Sequence, residues 1–173
     1  MCGFAGKFSL NSLGRTSYLD KQFDKAYKRL RSRGPDDKGI WVDKNIYLLH
    51  TRLKILDLSK DSSQPMHKDN YVICFNGEIY NFKKLKLELI DKGHSFVSNG
   101  DTEILISAWK EWGVSMLKKL DGMFSFAIWD KNLGQLFLAR DSFGVKPLYY
   151  FVAENRFCFS SEIKSLLPLM PVD

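Results

Sequence analysis

The chain has 173 residues, of which 45% are hydrophobic and 14% aromatic, and it carries a formal charge of +6. That length suits one domain burying roughly 70% of its unfolded surface, and the composition excludes a disordered tail. No apolar run approaches the ~20 residues that span a bilayer, and no basic stretch followed by an apolar core marks a secretory signal.

The chain opens Met1-Cys2-Gly3-Phe4-Ala5-Gly6. An initiator methionine before so small a side chain is generally trimmed, which would leave Cys2 carrying a thiol and a free α-amine. With reference pKa values of about 8.5 and about 7.7–8.0, the amine can take the thiol's proton near neutrality. A terminal amine activating its own side chain is an established route to a nucleophile. Taken alone, a Met-Cys start carries little information.

Residues 2–10 alternate loosely, consistent with a strand. From Ser17 a helix is predicted, because Leu19, Phe23, Ala26, Tyr27 and Leu30 recur at steps of three and four, up to a break at Arg33-Gly34-Pro35-Asp36. Lys28, Arg29, Arg31 and Arg33 crowd its end. The other lysines scatter among acids without aromatic interleaving, so the charge reads as a solvated surface and no nucleic-acid partner is expected. Gly39–Val42 and Ile46–Arg52 form a predicted strand pair turning at Asp43-Lys44-Asn45. The aperiodic, polar stretch from Asp57 to Asn70 reads as a long loop, of the kind that serves as a lid or binding loop.

Tyr71–Phe75 is a predicted strand followed by Asn76-Gly77. Helices follow from about Asn81 to Lys92, with Phe82, Leu85 and Leu89 inward, and from Asp101, which can cap the second. Met123–Trp129 and Gln135–Arg140 are strands flanking a turn at Asn132-Leu133-Gly134, apolar on both faces like a sheet covered on both sides. Leu148–Val152 and Arg156–Ser160 form a further hairpin, and Glu162–Leu167 a short helix. Cys74 and Cys158 fall in strands, where a free cysteine packs as a small hydrophobe; with an odd cysteine count and no metal-ligand spacing, a reduced, cytoplasmic protein is expected. Strands arranged in hairpins argue for antiparallel sheets with helices layered on them, not a doubly wound parallel fold.

Several local motifs bear on Cys2: Arg33-Gly34-Pro35-Asp36, His50-Thr51-Arg52-Leu53, Phe75-Asn76-Gly77-Glu78-Ile79-Tyr80-Asn81 and Gly100-Asp101-Thr102-Glu103. Leu120-Asp121-Gly122-Met123-Phe124, Arg140-Asp141-Ser142-Phe143-Gly144-Val145-Lys146-Pro147 and Ser161-Glu162-Ile163-Lys164 continue the series. In this order and spacing the set resembles the class II glutamine amidotransferase domain, in particular the one that opens glutamine-dependent asparagine synthetases. The resemblance covers nearly the whole chain.

It implies an α+β fold, the four-layer αββα sandwich of N-terminal-nucleophile hydrolases, with two mainly antiparallel sheets between helices. It also implies hydrolysis of L-glutamine to glutamate and ammonia through a glutamyl thioester on Cys2. Asn76 and Gly77 would form the oxyanion hole, one by its side-chain NH₂ and the other by its backbone N–H. The bland alternative for this pair is a hairpin turn. Arg52 would hold the substrate carboxylate, for which a planar guanidinium is suited, and Asp101 and Glu78 the ammonium. Leu53, Ile55 and Arg33 are carried over as further substrate-site residues. The plain readings are a surface arginine, a helix cap, a solvated glutamate and, for Arg33, a helix end. His50, Arg140, Asp141 and Lys146 match family positions and read as structural.

The synthetase half of such enzymes is absent from these 173 residues. No cofactor is expected in this domain; ATP and Mg would belong to a C-terminal synthetase domain acting in cis or trans, and homodimerisation is open. One rival enzyme reading pairs Cys2 with His50, His67 or His94 as a dyad. A non-enzymatic rival is a silent domain kept as an interaction or regulatory module.

Overall fold

The computed structural model describes residues 1–13, 16–153 and 155–170. In chain order the elements are β1 (Gly3–Ser9), α1 (Ser17–Leu30), β2 (Asp37–Val42), β3 (Ile46–Arg52), β4 (Met66–Lys68), β5 (Tyr71–Ile79), α2 (Phe82–Asp91), α3 (Asp101–Trp112), β6 (Gly122–Asp130), β7 (Gln135–Arg140), β8 (Tyr149–Ala153), β9 (Arg156–Ser160) and α4 (Ile163–Leu166). Every strand pairing is antiparallel, in a five-stranded sheet ordered β2-β3-β1-β9-β8 and a four-stranded sheet ordered β4-β5-β6-β7.

Three apolar layers explain the stacking. In β1, Phe4 faces the second sheet and joins Leu48, Val72, Cys74, Ala127 and Phe159 between the sheets. Ala5 points the other way, toward Leu19, Phe23 and Leu30 of α1 and Leu166 of α4. Phe23 stacks on Tyr47 of β3 with ring centroids 3.7 Å apart. In β5, Val72 and Cys74 face the first sheet, whereas Ile73 and Phe75 pack on Leu85, Leu89, Ile104 and Leu105 of α2 and α3. Each fully buried Leu, Ile or Phe here contributes roughly 1.5–3 kcal/mol. The alternation of period two, buried on both faces, therefore produces the order helix, sheet, sheet, helix.

Helix α1 follows its periodicity: Leu19, Phe23, Ala26 and Leu30 are buried, and Thr16 caps it by accepting from Leu19 N at 3.2 Å. Lys28 and Arg29 lie in the last turn, where they complement the helix dipole. The turn at Asp43–Asn45 closes with Asp43 N donating to Ile46 O at 2.9 Å. Arg140 and Asp141 take structural places. Asp141 accepts from the backbone N–H groups of Phe124, Val145 and Lys146, and Arg140 Nε donates to Lys146 O at 2.9 Å.

Three local readings change. The Asp57–Asn70 stretch is not wholly loop: it contains a 3-10 turn at Lys60–Ser62 and the edge strand β4. The strand starting at Tyr71 does not stop at Phe75 but runs to Ile79, with Asn76 opposite Ser125 and Gly77 opposite Phe124 in β6. Asn-Gly is therefore no hairpin turn. Asparagine and glycine are poor strand formers, and here a close approach overrides propensity: a Cβ on Gly77 would lie 2.3 Å from Met123 O. Finally, Gly100 and not Asp101 occupies the cap of α3. No helix among the described residues is long and apolar enough to cross a membrane.

Candidate active site

Cys2 lies immediately ahead of β1, in the middle of the five-stranded sheet. Gly3 pairs with Thr51, so the antiparallel register sets Cys2 beside the Arg52–Leu53 end of β3. Leu53 N donates to Cys2 Sγ at 3.4 Å, and the thiol reaches Leu53 O at 3.6 Å. Burial pushes the thiol pKa up, against the smaller opposing pull of the Leu53 N–H, the terminal ammonium and Arg52. Burial lowers the pKa of the α-amine at Met1.

Arg52 is buried at the end of β3, and its guanidinium faces the 57–63 loop. Nη1 donates to Ser59 O at 2.8 Å and Nη2 to Asp57 O at 2.5 Å. Across the cavity, β5 of the other sheet presents Asn76, Gly77 and Glu78. The Asn76 side chain is only 1% exposed, yet its Nδ2 has no hydrogen-bond partner among the described residues. Such a donor costs about 1–3 kcal/mol to bury unpaired, and it borders the space beside Cys2. Asp101, the first residue of α3, accepts from Ile79 N at 3.1 Å. Burial pushes its carboxyl up to about 6, with the neighbouring Glu78 charge acting in the same direction.

Cys2, Arg52, Leu53, Ile55, Asn76, Gly77, Glu78 and Asp101 all line one cavity of about 180 Å³. Of the residues expected in the substrate site, Arg33 alone lies outside its lining. Its Nε donates to Cys2 O at 2.9 Å, and its Nη1 pairs with Glu162 Oε1 at 2.6 Å. In this structure Arg33 therefore anchors the backbone of the cysteine from behind and does not border the cavity.

None of the three histidines lines the cavity. His50 is fully buried with Nε2 3.1 Å from Phe75 O, to which it donates; burial pushes it down to about 4. His94 pairs with Glu111 at 3.0 Å, and His67 packs against Trp41. A cysteine-histidine dyad thus has no geometric support. Among the described residues, no group of three His, Cys, Asp or Glu side chains is placed to hold a metal ion.

Other wall residues were not singled out in the sequence. Asp57, Ser62 and Gln64 come from the stretch whose missing periodicity marked it as a binding loop. Gln64 ties that loop to both neighbours, accepting from Phe75 N at 2.6 Å and donating to Thr102 Oγ1 at 3.3 Å. Lys146, expected to be structural, also borders the cavity, and its Nζ donates to Met1 Sδ at 3.3 Å. Nothing local in the sequence links positions 1 and 146.

Two antiparallel sheets between helices, with a cysteine at the head of a central strand facing the cleft, define an N-terminal-nucleophile hydrolase fold. The same architecture occurs in the glutamine phosphoribosylpyrophosphate amidotransferase of Bacillus subtilis, at a TM-score of 0.74 and 19% identity over 95% of this chain and 42% of that one. The family model described as a glutamine amidotransferase domain matches residues 1–173, and the chain belongs to that family.

Among curated relatives, asparagine synthetase [glutamine-hydrolyzing] 1 of Bacillus subtilis is 39% identical over 169 residues, covering 96% of this chain and 27% of that protein. A putative asparagine synthetase of Methanocaldococcus jannaschii is 35% identical over 194 residues, covering 100% and 36%. Amidase chry2 of Gibberella zeae is 37% identical over 178 residues, covering 96% and 26%. The chain therefore spans between about a quarter and a third of the length of these relatives.

Proposed function

We propose that this chain is a glutaminase domain that hydrolyses L-glutamine to glutamate and ammonia through a thioester on Cys2. The ammonia passes to a synthetase domain, in cis or trans, that amidates a carboxylate. The named synthetase relatives favour asparagine as the product. The carrying observation is the meeting, in one cavity, of a near-terminal thiol, a buried unpaired amide donor, an arginine and a carboxyl group.

Once Met1 is removed, the Cys2 amine becomes the base. Burial disfavours the thiolate, so the resting sulfur keeps its proton, with the amine of the same residue beside it to take that proton. The amine takes the thiol proton as sulfur bonds to the amide carbon. Negative charge on the carbonyl oxygen meets Asn76 Nδ2 and the Gly77 N–H, an arrangement in which one donor is worth ~10²–10³ in rate. The ammonium returns the proton to the leaving nitrogen, the C–N bond breaks, and ammonia departs. Water then attacks the thioester, the amine accepts its proton, and glutamate and the free thiol are regenerated. Arg52 faces the substrate carboxylate, and Asp101 with Glu78 faces its ammonium. Leu53 and Ile55 flank the chain between these ends. The setting is cytoplasmic, where Cys2, Cys74 and Cys158 stay reduced.

The test is a glutamine-like diazo ketone applied to protein whose amino terminus is verified as Cys2. One covalent adduct on Cys2 and loss of glutaminase activity are expected, with neither adduct nor activity in Cys2→Ala. An absence of adduct on correctly trimmed protein overturns the reading in favour of a silent domain. Extending the amino terminus by one residue should abolish hydrolysis, whereas a dyad enzyme would tolerate it.

A further inference from the structure

The 57–63 loop touches Arg52 at one end of the amino-acid subsite and Asn99, two residues ahead of Asp101, near the other, and Asp57 makes both contacts. The Asp57 backbone carbonyl accepts from Arg52 Nη2 at 2.5 Å. Its carboxylate accepts from Ser59 N at 2.8 Å, Ser62 Oγ at 2.8 Å and, across the cavity rim, Asn99 N at 2.9 Å. Asn99 leads through the helix cap Gly100 directly into Asp101. The rim is tight there, since a Cβ on Gly100 would lie 2.9 Å from Ser62 Oγ and 3.8 Å from Asp57 Cβ.

We propose that Asp57 is a positioning residue that sets the spacing between Arg52 and the Asp101 turn, and so tunes recognition of the α-carboxylate and α-ammonium of an amino-acid substrate. This rests on the glutaminase reading above. Asp57 acts through its neighbours. Its main chain holds the guanidinium in place, and its side chain clips the loop to the start of α3. A carboxylate accepting several such bonds is held as the anion, and the Asp57 pKa is pushed well below the ordinary carboxylate range by the N–H groups of Asn99 and Ser59. The clip therefore stays closed across the neutral and mildly acid range.

Loss of the clip should weaken binding of the amino-acid end without disabling the thiol. In Met1-trimmed full chain, Asp57→Ala is expected to raise the glutamine KM roughly ten- to hundred-fold, the range for losing a charge-assisted contact. The kcat should stay within about three-fold, because the oxyanion donors and Cys2 are untouched. Alkylation of Cys2 by iodoacetamide, which has no α-amino-acid group, should proceed at the wild-type rate. Ser62→Ala, which removes one of the three carboxylate contacts, should raise KM by roughly two- to five-fold. Asp57→Asn, which keeps acceptor oxygen but no charge, should recover part of the loss.

An unchanged KM in Asp57→Ala and Ser62→Ala, with wild type active, overturns this proposal and leaves the glutaminase reading standing. A loss of kcat and of Cys2 alkylation in step with KM also overturns it, because the loop would then be mere scaffold. A trimmed wild type inert toward both glutamine and the diazo ketone removes the glutaminase reading, and this proposal with it.

Discussion

The buried amide of Asn76 makes an unusual pair of demands on a single substitution. The residue is 1% exposed and its Nδ2 is buried with no partner among the described residues, so in the resting protein that donor is a cost of about 1–3 kcal/mol. In the proposed reaction its partner would be the carbonyl oxygen as that atom becomes an oxyanion. Asn76→Ala should therefore lower kcat by ~10²–10³, or about 2.7–4 kcal/mol of transition-state stabilisation. KM should change little, because the lost bond strengthens after substrate binding. Folding stability should hold or rise by up to about 1 kcal/mol, a midpoint shift of about 2–4 °C for a chain of this size. Asn76→Leu, which refills the space with apolar atoms, should behave alike. Steady-state glutaminase kinetics and urea unfolding on the same preparations measure both quantities. A kcat loss below ten-fold would refute the oxyanion role. A destabilisation above about 2 kcal/mol would show that the amide serves the fold instead.

Asp101 should impose a pH dependence on both binding and stability. Its carboxyl, pushed up to about 6 by burial, would have to ionise to meet the ammonium of the proposed substrate, so kcat/KM should rise with pH through about 6, and Asp101→Asn should remove that limb. Because the folded pKa exceeds the unfolded one, the native state holds the proton more tightly. The group's contribution to stability is thus complete below about pH 4 and lost as pH rises through about 6. Urea unfolding should accordingly find Asp101→Asn more stable than wild type by about 1–3 kcal/mol at pH 8, with the two converging near pH 4. Gly77→Ala would drive a methyl to 2.3 Å from Met123 O and 2.8 Å from the Phe75 ring and Phe124 Cα. Parting β5 from β6 should cost roughly 1–3 kcal/mol in thermal or urea unfolding. No loss would mean that the strands are looser than the geometry states.

Much of this architecture is legible in one dimension. The three- and four-residue steps of Leu19, Phe23, Ala26 and Leu30 mark α1, and the Asp43-Lys44-Asn45 turn marks the β2–β3 hairpin. The ordered motifs around Cys2, Arg52, Asn76-Gly77 and Asp101 mark the residues that share the cavity. Periodicity reports which face of a segment is apolar, and motif order reports chemistry, so these features survive without any knowledge of folding partners.

What tertiary structure alone decided concerns contacts between distant segments. Asn76-Gly77 looks like a turn until β6 approaches and shows why a side-chain-free residue must continue the strand. Arg33 looks like a helix end until Glu162 and the Cys2 carbonyl, both remote in sequence, claim its guanidinium. Asp57 has no motif at all; its importance lies in clipping Arg52's loop to Asn99. Local pattern is set by each residue's own surface and backbone preference, whereas these roles depend on where two sheets and a loop come to rest against each other.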